Sequence, residues 1–476
     1  MSMHALSKAA ADGDLAEYVS AMMHRARQAM EVFADADQAR VDEAVTAVAW
    51  ALYKPENAQH LARRAVETTG IGRVDSKVIK NQRKTFGALR DLLRVKSVGV
   101  IEELPERGLV KYAKPVGVVV AITPSTNPSA TPVNKTMFAI KGRNAIIISP
   151  SPSGDDVTVE TVDLVRAELR KIGLPEDLVQ VPDMPPSKAL TAELMRQADL
   201  IVATGSQNNV RQAYSSGTPA IGVGAGNVPV IIDQSARMDE AAEKICASKT
   251  FDNSTSCSSE NALVILDAVY DQAMAALHKA GGYLASASEA EAIQENLWQH
   301  GKLNRDLIAR DADVFATRIG LPEAARRAKF FMVEQQGIGP GYPFSGEKLS
   351  LVLSVYRARD FDDACRLVQT LLAHQGRGHS CGIHTQDLDR ARQLAEQTDV
   401  VRVLVNQAHT FGNGGSFDNG LNFTLSMGCG TWAGNSISEN LNYRNFINVT
   451  HLVQTIPKDE PTAEELFGSY WSRYGK

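Results

Sequence analysis

The chain has 476 residues, 44% hydrophobic and 22% charged, which is ordinary globular material long enough for two or three domains. A formal net charge of -5, from 50 Lys+Arg against 55 Asp+Glu spread along the chain, gives no basic stripe to track a phosphate backbone, so nucleic acid is not an expected partner. Apolar runs such as 117–122 and 144–149 are far shorter than the ~20 residues a bilayer needs, the first residues carry acids, and the five cysteines form no C-x-x-C pair; a soluble, cytoplasmic protein with reduced thiols and no metal site is expected.

From Asp14 to about Thr69 the apolar residues recur at helical spacing, broken at Lys54-Pro55 and closed by the glycines of TTGIG, which predicts a helical N-terminal hairpin. Between Val98 and Ile122, VGVIEELPERGLVKYAKPVGVVVAI alternates β-branched runs with turn residues, as a protruding antiparallel arm leading into a strand would. The runs NAIIIS, DLIVATG and VPVIID then alternate with helical stretches starting near Asp155, Ser187 and Asp239, predicting a doubly wound parallel sheet that takes ligands at its carboxyl ends. After Asp252 a second α/β series follows: NALVIL, a long helical region from Ala268, SLVLSVYRA, a helix from Asp360, SCGIHT, a further helix and VVRVLVN. The tail from Phe411, rich in Gly, Asn and Ser, suits loops that lie over a site or a partner subunit. The two halves meet close to Cys257, and clefts between domains are where cofactor and substrate usually meet.

Cys257 stands in KTFDNSTSCSSENALVIL, where a helix gives way to small polar residues that leave a sulfur little to hide behind. A cysteine is usually a small buried hydrophobe, as the other four are expected to be, yet the loop's N–H groups offer this one a lowered pKa and an oxyanion site; physics alone leaves both roles open. Gly205-Ser206, between an apolar strand and a helix, suits either a phosphate-binding turn or any strand-to-helix connection, and the full G-x-G-x-x-G fingerprint is missing. The run GVGAGN, with Gly224 and Gly226, permits close backbone approach to a ligand or is simply a tight loop. Asn127 in TPSTNPSATP is an amide donor suited to a carbonyl oxygen, or part of an Asn-Pro turn. His379, in GRGHSCGIHT, is a secondary candidate beside its ordinary structural role.

Taken in order, TPSTNPSATP, NKTMFAIKGRNAIIISPSP, ATGSQNNVRQAYSSG, GVGAGNVPVIID, KTFDNSTSCSSENALVI, EKLSLVLSVYRARDFDDA and MGCGTWAGNSISEN resemble the CoA-acylating branch of the aldehyde dehydrogenase superfamily over roughly residues 14–455. The resemblance implies an α/β fold with a Rossmann-type nicotinamide-cofactor domain (1–248, including the oligomerisation hairpin at about 98–122), a catalytic domain (249–430), and a C-terminal segment (431–476) that returns to the cofactor domain and adds an oligomerisation strand. It places Cys257 at the nucleophile and Asn127 in the oxyanion hole, with Thr126 as the alternative register. Glu347 falls on the nicotinamide ribose, Gly205 and Ser206 beneath the pyrophosphate, Ser149 and Pro150 at the adenine ribose, and Gly224 and Gly226 against the cofactor. Serines rather than a carboxylate at the strand end favour NADP over NAD, with coenzyme A as co-substrate and a homodimer or homotetramer as the assembly.

One departure bears on mechanism. Hydrolytic members carry a general-base glutamate in E-L-G-G-K-x-P, where this chain reads V-G-A-G-N-V-P from Val223. Without that base an enzyme thioester waits for a nucleophile better than water, and a thiolate needs far less help. The resemblance also implies a small anionic aldehyde as substrate, sulfoacetaldehyde first, with succinate semialdehyde or acetaldehyde as alternatives. The missing glutamate argues against a hydrolytic enzyme, and Cys257 argues against a non-catalytic relative.

Overall fold

The computed structural model describes residues 3–476, with side chains from residue 14 onward. Four helices open it: Met3–Phe33, Gln38–Tyr53, Pro55–Thr69 and Val74–Leu93. Asp37 caps the second, accepting from Arg40 N; Pro55 begins the third, where its missing N–H costs nothing; Gly70 ends it in the left-handed region at φ 64. TTGIG therefore closes the third helix, but the helical segment does not stop there, because Val74–Leu93 follows and turns Lys77, Lys80 and Asn81 inward.

Five parallel strands follow, in the order Val179–Gln180, Ala145–Ser149, Val118–Ile122, Leu200–Ala203, Ala220–Gly222. The central VVVAI and AIIIS are buried throughout, as strands covered on both faces must be. The helix Ala130–Lys141 is buried along its whole length, and the Lys135 ammonium donates to Ile122 O and Val202 O, tying together two strand ends on the ligand side of the sheet.

VPVIID, expected in this first sheet, belongs to the second. Val228–Ile232 pairs in parallel with Glu260–Leu266 and Gly378–His384, inside a seven-stranded sheet ordered Gly282–Leu284, Phe330–Glu334, Val352–Ala358, Glu260–Leu266, Val228–Ile232, Gly378–His384, Val400–Val405. Ile245 of the helix Met238–Thr250 shares a core with Val228 and Leu263, so the chain changes sheets in the loop 223–227 and not after residue 248. A β-branched run apolar on both faces carries no mark of which sheet will take it. The long helical region from Ala268 is likewise interrupted, by the strands Gly282–Leu284 and Phe330–Glu334. The chain is back in the first core by Phe423, ahead of residue 431, with Leu441 and Phe446 beside it.

The arm is a three-stranded antiparallel sheet: Gly99–Leu104 turns through Gly108 into Leu109–Pro115, and Ile447–Val453 adds along the far side. Among the described residues no helix is long and apolar enough to cross a membrane.

Candidate active site

The chain reaches Cys257 through three consecutive non-glycine residues in the left-handed region, Asp252 (φ 51), Asn253 (φ 52) and Ser254 (φ 64). Such conformations cost roughly 1–3 kcal/mol each and persist only when their surroundings over-determine them. Here they do. The buried Asp252 carboxylate accepts from Arg73 N (2.8 Å), Lys77 Nζ (3.1 Å), Lys80 Nζ (2.6 Å) and Thr255 Oγ1 (2.8 Å). Asn253 Nδ2 donates to Asp311 Oδ1 at 2.8 Å and to Ala309 O. Burial would raise the Asp252 carboxyl, but Lys80 and Lys77 outweigh it and hold the group below the ordinary carboxylate range.

Cys257 follows this turn and keeps partial exposure. Its Sγ lies 3.3 Å from His379 Nε2, which brings the secondary candidate onto the candidate nucleophile. His379 Nδ1 meets Ser380 Oγ at 2.8 Å, and His409 Nε2 meets the same hydroxyl at 2.9 Å, so the ring's orientation is fixed from behind. Burial pushes the thiol up to about 12, helped by the charges of Glu347 and Cys429 and opposed by Arg402. Burial likewise drives His379 well below its ordinary value, with Arg402 and His409 adding to the effect. At rest the pair is a neutral thiol beside a neutral imidazole, a base placed to take the sulfur's proton as attack occurs. Arg402 spans the site's floor, donating to His379 O, Gly428 O, Asn413 Oδ1 and Asn440 Oδ1.

Asn127 is tied to the nucleophile turn by Lys80, whose ammonium donates to Asn127 Oδ1 at 2.8 Å while holding Asp252 and Thr255 Oγ1. With the amide oxygen taken, Nδ2 is the end left to donate elsewhere; its one protein contact is a long 3.4 Å to Thr126 Oγ1. Glu347 lies close enough for its charge to act on Cys257, and burial raises its carboxyl to about 7 against the pull of Lys348 and Lys249. In the GVGAGN run the close approach is made by the protein itself: a Cβ on Gly226 would overlap the Cys257 carbonyl, and one on Gly224 would stand 3.1 Å from Cys429 Sγ. Val223 stands where the hydrolytic pattern has glutamate, and Asn227, where that pattern has lysine, turns its Nδ2 to Ser345 O at 2.9 Å.

Ser149, Pro150, Gly205 and Ser206 gather elsewhere, at the carboxyl ends of the first sheet. Gly205 has φ 153, with only Asn209 Nδ2 at 3.9 Å from where a Cβ would stand, and Ser206 caps the exposed start of the helix Gln207–Ser215, a ready cradle for a diphosphate. Just past Ser149, Ser151 Oγ and Asp155 Oδ1 are buried without partners, as ribose-facing groups are before a nucleotide binds. Ser149 Oγ meets Thr191 Oγ1 at 3.3 Å, which sets the first turn of the helix Lys188–Gln197 against the same strand end. The residues present fit a nicotinamide dinucleotide.

Several contributors escaped the sequence reading: Asp252, Lys77, Lys80, Arg402 and Asn413, whose Nδ2 donates to Ser258 Oγ at 2.9 Å. The visible signal was Lys77, Lys80 and Lys84 at spacings of three and four, a basic stripe on a helix whose partner was unknown.

The aldehyde dehydrogenase family model matches residues 8–289 of the chain. The chain is similar to a sulfoacetaldehyde dehydrogenase (acylating) of Cupriavidus necator, 52% identical and covering 97% of this chain and 94% of the relative. A protein of the same description from Bilophila wadsworthia is 47% identical, with 96% and 99% covered. Among solved structures, an acetylating aldehyde dehydrogenase from Geobacillus thermoglucosidasius matches with a TM-score of 0.90 at 34% identity, covering 95% of this chain and 99% of that one.

Proposed function

The chain belongs to the aldehyde dehydrogenase family, on its CoA-acylating branch, and from that premise we propose that it oxidises sulfoacetaldehyde to sulfoacetyl-CoA through a thioester on Cys257. The observation that carries this reading is the Cys257–His379 contact beside a loop, 222–227, that holds no carboxylate to activate water. His379 Nε2 takes the proton of Cys257 as the sulfur adds to the aldehyde carbon, and the oxyanion receives Asn127 Nδ2 and the backbone N–H of Cys257. A bound nicotinamide dinucleotide supplies the hydride acceptor that turns the adduct into a thioester. Gly205, Ser206 and the start of the helix Gln207–Ser215 cradle its diphosphate, and Glu347 faces its nicotinamide ribose. His379 gives the first proton to solvent, takes a second from the thiol of CoA as that sulfur attacks the acyl carbon, and returns it to the Cys257 sulfur as its bond to the acyl carbon breaks. A thiol ionises near pH 8.5 and water only near 15.7, so a weak imidazole base suffices for the first and not for the second.

NADP is favoured over NAD. The strand end offers serines, and Lys188, the exposed first residue of the helix whose Thr191 touches Ser149, is the nearby cation that supports this reading. Lys188→Ala is expected to raise KM for NADP about tenfold with little change for NAD; equal shifts for both would remove Lys188 from that role. All five thiols are free, as fits the cytoplasm.

The deciding experiment follows NAD(P)H formation from sulfoacetaldehyde with each dinucleotide, with and without CoA. Sustained turnover only with CoA supports acyl transfer; equal sustained rates without CoA would mean that water resolves the thioester and the proposal is wrong.

A further inference from the structure

Asn127, Thr131 and Asn134 follow one another at spacings of four and three, Asn127 just ahead of the helix Ala130–Lys141 and the other two on one face of it. Thr131 N donates to Asn127 O, so Asn127 already lies in register with the helix Ala130–Lys141. Beyond Asn127 this face carries two donors with nothing to donate to: Thr131 Oγ1 and Asn134 Nδ2 are buried and unpartnered, in residues 1% and 2% exposed. The Asn134 amide is oriented by its other end, because Oδ1 accepts from Leu425 N (3.2 Å) and meets Thr424 Oγ1 (3.4 Å).

A cation arrives from the other side. Lys84 Nζ donates to Gly414 O (2.7 Å) and Gly415 O (3.3 Å), and Gly414 O also accepts from Thr424 N (3.0 Å), so Lys84 and Asn134 sit on two sides of one short contact. Gly414 follows Asn413, which holds Ser258 next to the nucleophile. Among the described residues no carboxylate pairs with Lys84. Asp252 is taken by Lys77 and Lys80, Asp91 by Arg90 and Phe423 N, and Asp418 by Ser416. Burial, with Arg83 and Lys80 nearby, lowers Lys84 to about 7. A half-buried lysine without a counter-ion, held on the same loop contact that Asn134 meets from the other side, leaves two buried donors and a cation that an anion would complete.

We infer that Lys84, Thr131 and Asn134 form the subsite that receives the anionic group of the aldehyde, a sulfonate one methylene from the carbonyl. This rests on the substrate reading above and gives it a place. A rise of 1.5 Å per residue sets Thr131 about 6 Å along the helix from Asn127, so one turn separates the donor for the aldehyde oxygen from the first donor for the sulfonate.

The test compares kcat/KM for sulfoacetaldehyde with that for propionaldehyde in wild type, Lys84→Gln, Thr131→Val and Asn134→Asp. Thr131→Val preserves shape, and Asn134→Asp keeps the acceptor for Leu425 N, so both leave the fold its contacts. The sulfoacetaldehyde-to-propionaldehyde ratio is expected to fall about 30-fold or more in Lys84→Gln and Asn134→Asp, and about five- to tenfold in Thr131→Val. A ratio unchanged in all three variants overturns the subsite. A second arm uses ethanesulfonate as a competitive inhibitor of propionaldehyde oxidation. If wild type does not oxidise sulfoacetaldehyde but inhibition weakens at least tenfold in the variants, the substrate reading falls and the subsite stands. If sulfoacetaldehyde is oxidised and inhibition is equal in all four proteins, the subsite falls and the reading stands.

Discussion

A thiol pushed up to about 12, placed 3.3 Å from an imidazole held far below its ordinary value, carries its proton on sulfur at neutral pH. Alkylation depends on the thiolate, so carboxamidomethylation of Cys257 by iodoacetamide should rise about tenfold per pH unit from pH 7 to 10 in the protein without dinucleotide. Mass spectrometry of the Cys257 peptide reads this directly, and a plateau by pH 8 would reveal a resting thiolate–imidazolium pair instead. Asp252 acts one step further back. Asp252→Asn leaves two buried ammoniums without their shared anion, so a loss of about 3–5 kcal/mol in denaturant unfolding is expected, together with loss of Cys257 acylation as the left-handed turn relaxes. Because the Asp252 carboxyl is held low in the folded state, its contribution is complete above about pH 4 and fades only as the pH falls through its lower folded value. The gap in stability between wild type and variant should therefore close in strong acid, and narrow again in alkali as Lys77, which burial lowers to about 8, loses its charge; a gap that already narrows on going down to pH 6 would show the ion cluster is not its source.

At the scale of elements, the loop between the two sheets and the turn that carries Cys257 are built as one unit. Gly226→Ala would drive a methyl group into the Cys257 carbonyl, backbone against backbone, where neither can yield cheaply. We expect this variant to lose at least 100-fold in turnover while still binding the dinucleotide, because Gly205 and Ser206 lie on the other sheet. Unchanged kcat with weakened dinucleotide binding would return Gly226 to the cofactor. The same loop shows what the sequence could and could not tell. Its glycine density announced a close approach, and Cys257 was picked out by the small residues around it, but the partner in that approach was invisible because it lies 31 positions downstream. VPVIID was legible as a strand and not as a member of a given sheet. His379 was legible as a residue at a strand entrance, and only the pairing of Gly378–His384 with Val228–Ile232 sets that strand beside the chain that leads to the nucleophile. Lys80 and Lys84 drew no expectation at all, since helical spacing fixes which residues share a face and says nothing about what the face meets.

On the scale of the molecule, Cys257, His379 and Asn127 lie in the body of the chain, whereas its C-terminal end exposes apolar surface. Ile447–Val453 is an edge strand whose outer backbone is unpaired, with Val453 69% exposed, and the helix Ala463–Tyr474 buries no residue while showing Leu466, Phe467, Tyr470 and Tyr474 to solvent. A 12-residue helix is marginal alone in water, and monomers rarely leave so much contiguous apolar surface open. A second copy of the chain, related by a twofold axis, would cover both the edge and the helix, giving a dimer or a dimer of dimers. Light scattering at micromolar concentration should find the full chain oligomeric and a variant lacking residues 457–476 shifted to a smaller species. Since Cys257, His379 and Lys84 lie in other elements, the shortened chain should keep CoA-dependent turnover per subunit within a few-fold. A monomeric full chain would leave the exposed face to some other partner, and a shortened chain that stays oligomeric but loses turnover would mean that this end reaches into a neighbour's active site.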